Sequence, residues 1–389
     1  MTGATYDLLI QGGTLIDPAR GLHERRDIAF SGEKVAATEP EIAASASTRV
    51  INAVGKLVVP GLVDAHVHVF EGVSHLGINA DQTCLAHGAT TVVDAGSAGA
   101  DTIDGFRSYV IETSATRILA HLNISSMGML AMEVGELDDI KWASVPKALQ
   151  AIERHRDLIL GVKVRLTRDS IVGEAAGLKP LFLAREVADA AGLPIMVHPQ
   201  DSWADSLDQV LAVMRAGDVM THMYHGLRHG IFGEDGKILP AVRAAQERGV
   251  LFDVGHGAGS FSWSVCERAL AQEFTPTMIS SDLHVLNVNG PVFDLVTTMS
   301  KFLMLGMSID DTLARVTSVP AKVVGMEGKI GTLAPGAEGD AVVLELREGR
   351  VRFVDSHGEE RIGQLQFVPA AIVKAGKEYP VSAHLHPHA

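Results

Sequence analysis

Between Pro60 and Met326, short apolar, β-branched runs alternate with longer stretches whose hydrophobic residues recur every three or four positions. The first pattern is that of buried parallel strands, and the second is that of the amphipathic helices that cover them. Eight runs read as strands: 62–68, 90–95, 118–124, 158–166, 194–198, 219–224, 250–254 and 277–282. Between them the spacing predicts helices over 181–191, 207–216 and 238–248. Eight such units within roughly 270 residues match the usual size of a closed (β/α)8 barrel, about 250 residues.

Both ends of the chain carry a different pattern. Residues 1–58 hold short runs such as Tyr6-Asp7-Leu8-Leu9-Ile10 and Asp27-Ile28-Ala29-Phe30, punctuated by Gly12-Gly13, Ser31-Gly32 and Gly55. After Met326 that character returns in 340–346, 350–354 and 371–374. These are strand and hairpin signals. The expected fold is α/β: a (β/α)8 TIM barrel over 59–326, with a small β-sandwich domain formed from 1–58 and 327–389. The terminal His384, His386 and His388 read as a frayed end rather than a metal site.

Composition narrows the function classes. A net charge of −14 argues against nucleic acid and anionic membranes as partners, so an anionic substrate would need a local basic group. The two cysteines, Cys84 and Cys266, are far apart, which points to a reducing cytoplasm rather than a disulfide framework. The stretch Met1 to Asp7 lacks a leader pattern, and no apolar run reaches the ~20 residues that span a bilayer. A homo-oligomer is expected, as for most soluble enzymes.

In a β/α barrel the chemistry sits at the C-terminal ends of the strands. There the predicted strands place His66 and His68, Lys163, His198, His222 and Asp282. His66 and His68 are two apart and share a strand face, so both imidazoles can grip one divalent ion. Lys163 and Arg165 share a face of 158–166. A lysine aimed into a barrel is costly while charged. Its neutral amine could capture carbon dioxide, and the resulting carbamate would bridge two cations. Taken singly, His198 or His222 is at least as readily a satisfied core histidine as a ligand, and a lone lysine in the place of Lys163 more commonly snorkels or pairs with an acid. Arg165 is a candidate for a substrate carboxylate, with a structural ion pair as the plain alternative. His256 and His225 are candidates for the substrate pocket, His229 and His284 are left unassigned, and Met127 and Met129 would form an apolar wall or ordinary core.

The chain resembles the amidohydrolase superfamily, in its subgroup with a carboxylated lysine. The resemblance lies in Leu9-Ile10-Gln11-Gly12-Gly13-Thr14-Leu15-Ile16-Asp17, Pro60-Gly61-Leu62-Val63-Asp64-Ala65-His66-Val67-His68 and 331–341. More narrowly it is similar to the deacetylase-like branch of dihydroorotase-related proteins, some of which hydrolyse acetylated α-hydroxy acids such as acetyl-(R)-mandelate. Three stretches carry this: Gly161-Val162-Lys163-Val164-Arg165, Thr221-His222-Met223-Tyr224-His225-Gly226 and 249–257.

That resemblance implies two divalent metal ions, zinc first among the candidates. His66, His68, Lys163 and Asp282 would hold one, and Lys163, His198 and His222 the other, with carbon dioxide carried on Lys163 as a carbamate. The metals would activate a bridging water, and Asp282 would shuttle its proton to the leaving group. The implied reaction is hydrolysis of an exocyclic acyl ester or amide of a small, carboxylate-bearing molecule. Cyclic amide hydrolysis, as in dihydroorotase or hydantoinase, would use the same centre. Nucleobase deamination usually goes with one metal and no strand-4 lysine, so Lys163 counts against it. A non-catalytic binding protein on this fold would be expected to have lost ligands, and none is missing here.

Overall fold

The computed structural model describes residues 5–382, so His384, His386 and His388 lie outside the described residues. Seven parallel strands follow one another around a curled sheet: β1 (Leu62–Val67), β2 (Ala89–Gly99), β3 (Arg117–Asn123), β4 (Ile159–Arg165), β5 (Ile195–His198), β6 (Val219–Met220) and β7 (Leu251–Phe252). The eighth expected run does not form a regular strand. Isolated bridges join Met278 to Asp253 after β7, and Leu283 to Val67 on β1. The Asp282 amide donates to the His66 carbonyl at 2.8 Å, and the His68 amide to that of Leu283 at 3.0 Å. The ring thus closes through an irregular segment.

That irregularity has a local cause. Asp282 has φ 48° and His222 has φ 61°, both in the left-handed region that breaks extended backbone. Hence the run expected over 219–224 is a strand only at Val219–Met220, and 277–282 pairs only at single points.

The helices cover the sheet as the periodicity predicts. Helix Lys179–Ala191 begins with proline in its first turn and ends at Gly192, φ 68°, where a left-handed cap costs glycine little. Leu181, Ala184, Val187, Ala188 and Ala191 form its buried stripe. Truncating the fully buried Leu181 to alanine would cost about 2–5 kcal/mol.

Beside the barrel lie two further sheets. One is N-terminal, in the order Lys34–Glu39, Asp27–Ser31, Tyr6–Gln11, Ser47–Asn52. The other combines both chain ends, in the order Lys377–Tyr379, Glu360–Lys374, Ala341–Val354, Leu57–Pro60, Thr14–Asp17, Leu22–Arg25. Leu8, Ile10 and Phe30 from the first meet Val58, Val343 and Val373 from the second in one buried cluster, which makes them a sandwich. The runs expected at 340–346 and 350–354 fuse into the single strand Ala341–Val354, whose hairpin with Glu360–Lys374 reaches far beyond the sandwich. Among the described residues no helix is long and apolar enough to cross a membrane, and Cys84 and Cys266 are buried and free.

Candidate metal centre

Inside the barrel, apolar side chains fill the lower layers: Val63 and Val93, then Ala65, Ala95, Met196 and Met278. Strict alternation would turn His66 away from a barrel that holds Ala65. The pairing of β1 with β2, however, shifts register between Asp64 and Val67, and both residues turn inward. On β4 alternation holds: Val162 and Val164 pack outward, while Lys163 and Arg165 line the cavity. His198 on β5 and the left-handed His222 and Asp282 complete the wall of a cavity of about 360 Å³. A larger groove, about 1100 Å³, opens at the other end of the barrel around Pro194, Asp218 and Leu251, but among the described residues no histidine lines it. The smaller cavity is the candidate chemical site.

The six expected ligands come together. Nε2 of His66 and of His68 stand 3.3 and 3.2 Å from the same Asp282 oxygen, Oδ1. One ligand atom each from His66, His222 and Asp282 lies within 4.8 Å of the others. The His66 and His222 rings are 5.0 Å apart, and those of His198 and His222 are 4.3 Å apart. Lys163 is 1% exposed, with Nζ 3.5 Å from His66 Nε2 and 3.7 Å from the Met196 sulfur.

Electrostatics decides what this set wants. Burial, reinforced by Lys163 and neighbouring histidines, holds the His66 imidazole well below its usual range. Burial likewise pulls His222 and His68 down to about 3, and His198 well down. The imidazoles are therefore neutral, each with one N–H. The His66 Nδ1 faces Asp253 Oδ2 at 3.3 Å, and the His222 Nδ1 donates to the Gly255 carbonyl at 2.7 Å. Each Nε2 is left with a lone pair, the tautomer a metal needs. For His66 that lone pair points at a carboxylate oxygen that is buried and, among the described residues, accepts no hydrogen bond. Two electron-rich atoms so placed are reconciled by a cation between them. The donor set fits a divalent metal.

Lys163 makes the same point from the other side. Among the described residues it forms no ion pair, and burial lowers its pKa to about 8. An ammonium among imidazoles is poorly held there, whereas a neutral amine or an anion made from it is not.

Groups behind the ligands fix their orientation. Asp253, 0% exposed, accepts from Thr221 Oγ1 at 2.7 Å and Ser280 Oγ at 2.6 Å while facing His66. Ser97 holds His68 Nδ1 at 2.9 Å, and Asp94 in turn accepts from the Ser97 amide at 2.7 Å. Sequence reading missed Asp253, Thr221, Ser97 and Asp94. Their only signal was the presence of polar residues in runs otherwise fit for a core. Glycines make the remaining room: a Cβ on Gly257 would lie 2.5 Å from Asp282 Oδ2, and one on Gly255 2.4 Å from Thr221 Oγ1.

The substrate-side candidates divide. Arg165 lines the cavity, with Nη1 3.3 Å from Glu136 Oε1 and its Nε buried without a partner among the described residues. His256 is not brought to the cavity. Gly255 at φ 46° and Gly257 at φ 58° turn the chain, so its ring stacks on Phe261 at 4.4 Å and Nε2 accepts from Lys301 Nζ at 2.7 Å. His225 is also buried behind the wall, where Nδ1 accepts from the Leu227 amide at 3.2 Å, and Leu227 lines the cavity instead. His284, left unassigned above, does line it, its ring 6.2 Å from that of His68, and His75 joins it. Met129 belongs to an apolar wall with Leu76, Met132, Leu227 and Leu286, whereas Met127 does not.

Known proteins share both chain and fold. A deacetylase of Agrobacterium fabrum is 36% identical over 335 residues, covering 86% of this chain and 81% of that protein. A deacetylase of Enterococcus faecalis is 33% identical over 378 residues, covering 96% and 99%. The crystal structure of a dihydroorotase superposes with a TM-score of 0.88 at 34% identity, over 95% of this chain and 97% of that one. That of an adenine deaminase gives 0.88 at 32% identity, over 96% and 99%. The sequence profile of the amidohydrolase family matches residues 57–379, from the strand before the barrel to the last strand of the sandwich. With the barrel, its histidine-bearing strand ends and the C-terminal strands of the sandwich inside that match, the chain belongs to the amidohydrolase family.

Proposed function

We propose that this chain is a metal-dependent hydrolase that removes an acetyl or similar exocyclic acyl group from an ester or amide of a carboxylate-bearing molecule. The carrying observation is the placement of two neutral imidazoles on one unsatisfied oxygen of Asp282, which calls for a cation. The choice of bond follows the deacetylases that align over most of both chains.

His66, His68 and Asp282 would hold one divalent cation, and His198 and His222 a second, with Lys163 between them; zinc suits this donor set. When bound, the pair would polarise the scissile carbonyl and lower the pKa of water. Lys163, whose pKa burial lowers to about 8, would in its neutral form attack the carbon of carbon dioxide and release a proton, leaving a carbamate anion where an ammonium was poorly placed. Asp282 would take a proton from the attacking water and deliver it to the leaving oxygen or nitrogen. Arg165 would receive the substrate carboxylate on N–H groups not used by Glu136. The apolar wall of Leu76, Met129, Met132, Leu227 and Leu286 would keep bulk water away from the acyl group. Two buried free thiols suit a cytoplasmic setting.

The test is a screen of purified, metal-analysed protein with acetylated α-hydroxy acids and N-acetyl-amino acids against dihydroorotate and hydantoins. Turnover of the acetylated acids with about two metals per chain is the expected result. A second reading, cyclic amide hydrolysis, is favoured by the close superposition on the dihydroorotase. Turnover of cyclic amides alone would establish it and overturn the first.

A further inference from the structure

The stretch 256–263 has the sequence His-Gly-Ala-Gly-Ser-Phe-Ser-Trp, with two glycines and no regular structure before Trp263. Such a segment has large conformational freedom to lose. Yet it carries Ala258, Gly259 and Ser260 in the cavity wall, and its Gly257 lies so close to the Asp282 carboxylate that an added Cβ would stand 2.5 Å from Oδ2. Something must hold it.

We infer that the tip of the C-terminal hairpin, through Ser356, positions this segment and with it Asp282. The tip, 355–359, joins Ala341–Val354 to Glu360–Lys374, about a hundred residues downstream. The Ser356 hydroxyl donates toward the carbonyls of Gly257, at 2.9 Å, and His256, at 3.3 Å, and accepts from the Phe261 amide at 3.2 Å. The Ser356 amide donates to the Phe261 carbonyl at 3.0 Å. Asp355, 2% exposed, accepts from the Trp263 amide at 3.1 Å, and the Trp263 indole donates to the Glu359 carbonyl at 2.9 Å.

A buried lysine ties the same pieces from below. Lys301, 0% exposed, donates to His256 Nε2 at 2.7 Å, to the Val354 carbonyl at 2.7 Å and to the Pro291 carbonyl at 3.0 Å. One ammonium thus joins the segment to the base of the hairpin tip. His256, which does not reach the substrate cavity, has its role here. Motion of the segment is transmitted through the backbone, because the Gly257 amide donates to the Ser281 carbonyl at 3.0 Å, next to Asp282. Ser356 is therefore a positioning residue for the reaction, and its kinetic effect rests on the hydrolase reading above.

Ser356→Ala tests this. It removes the three hydroxyl bonds and leaves the turn's own bonds from the His357 and Glu359 amides to Asp355. Amide hydrogen exchange over 257–262 should rise at least about tenfold, with exchange in Ile159–Arg165 unchanged. On an acetylated substrate kcat should fall about tenfold with KM within about twofold, and Ser356→Thr should restore both. In the cobalt-loaded protein the visible bands should shift, since they report the Asp282 carboxylate. Should Ser356→Ala not fold, Lys301→Met removes the lower tie and is judged by the same readings. Unchanged exchange over 257–262, or faster exchange with kcat and cobalt bands as in the parent, overturns the inference. A parent that hydrolyses no acetylated acid sinks the proposed reaction instead, and exchange and cobalt bands still decide this one.

Discussion

Gly96 and Lys163 share a space that one added carbon would close: a Cβ on Gly96 would stand 2.6 Å from the Lys163 Cβ and 2.7 Å from its Cγ. Gly96 also has φ 89°, a conformation that side-chain-bearing residues rarely adopt. Gly96→Ala is therefore expected to push Lys163 off its line toward His66 and to cost about 1–3 kcal/mol of stability. Metal content measured beside thermal unfolding checks it. A variant with full metal occupancy and an unchanged midpoint would mean that the contact is slack.

Asp282 is both a ligand and the proposed proton shuttle. Asp282→Asn keeps an oxygen near His66 and His68 but removes the basic site. Turnover should drop by about 10²–10⁴ while metal content stays close to that of the parent. If activity survives, another group moves the proton.

Loading of Lys163 should depend on pH in a defined direction. Burial lowers its pKa to about 8, and only the neutral amine can react with carbon dioxide. About a tenth of such a group is neutral at pH 7 and about nine-tenths at pH 9. At constant dissolved carbon dioxide, recovery of activity in metal-stripped protein given zinc should thus be faster at pH 9 by about tenfold. A flat or falling rate would argue that carbamate formation does not limit assembly.

Arg165 offers the clearest test of substrate charge. Arg165→Met should raise KM for carboxylate-bearing esters by about 10–100-fold, the worth of a lost charge-assisted bond, with a smaller effect on neutral esters. The substitution also strands the buried Glu136, whose remaining side-chain partner among the described residues is the Asn123 amide at 2.8 Å. Arg165→Met combined with Glu136→Gln separates that cost from substrate binding. An equal loss on charged and neutral esters would leave Arg165 a structural role only.

Much of this site was legible in the chain because strand periodicity is a local property. Alternation along 158–166 put Lys163 and Arg165 on one face, and both line the cavity. The βα spacing brought His198, His222 and Asp282 to the same end of the barrel as His66 and His68, and the apolar runs outlined the strands beneath them. What these readings share is dependence on neighbours within a few residues.

Tertiary structure decided the rest. His66 faces inward because β1 slips register against β2, and His222 and Asp282 reach the centre because their backbones leave extended geometry. No local pattern announces either event. Asp253 and Ser97 became partners of His66 and His68 across separations of 187 and 29 residues, and His256 turned from the cavity to Lys301, 45 residues on. Even the hold of Ser356 on Gly257 spans 99 residues. Such pairings exist only once the barrel has closed, since each alone is too weak to offset the entropy of bringing its partners together.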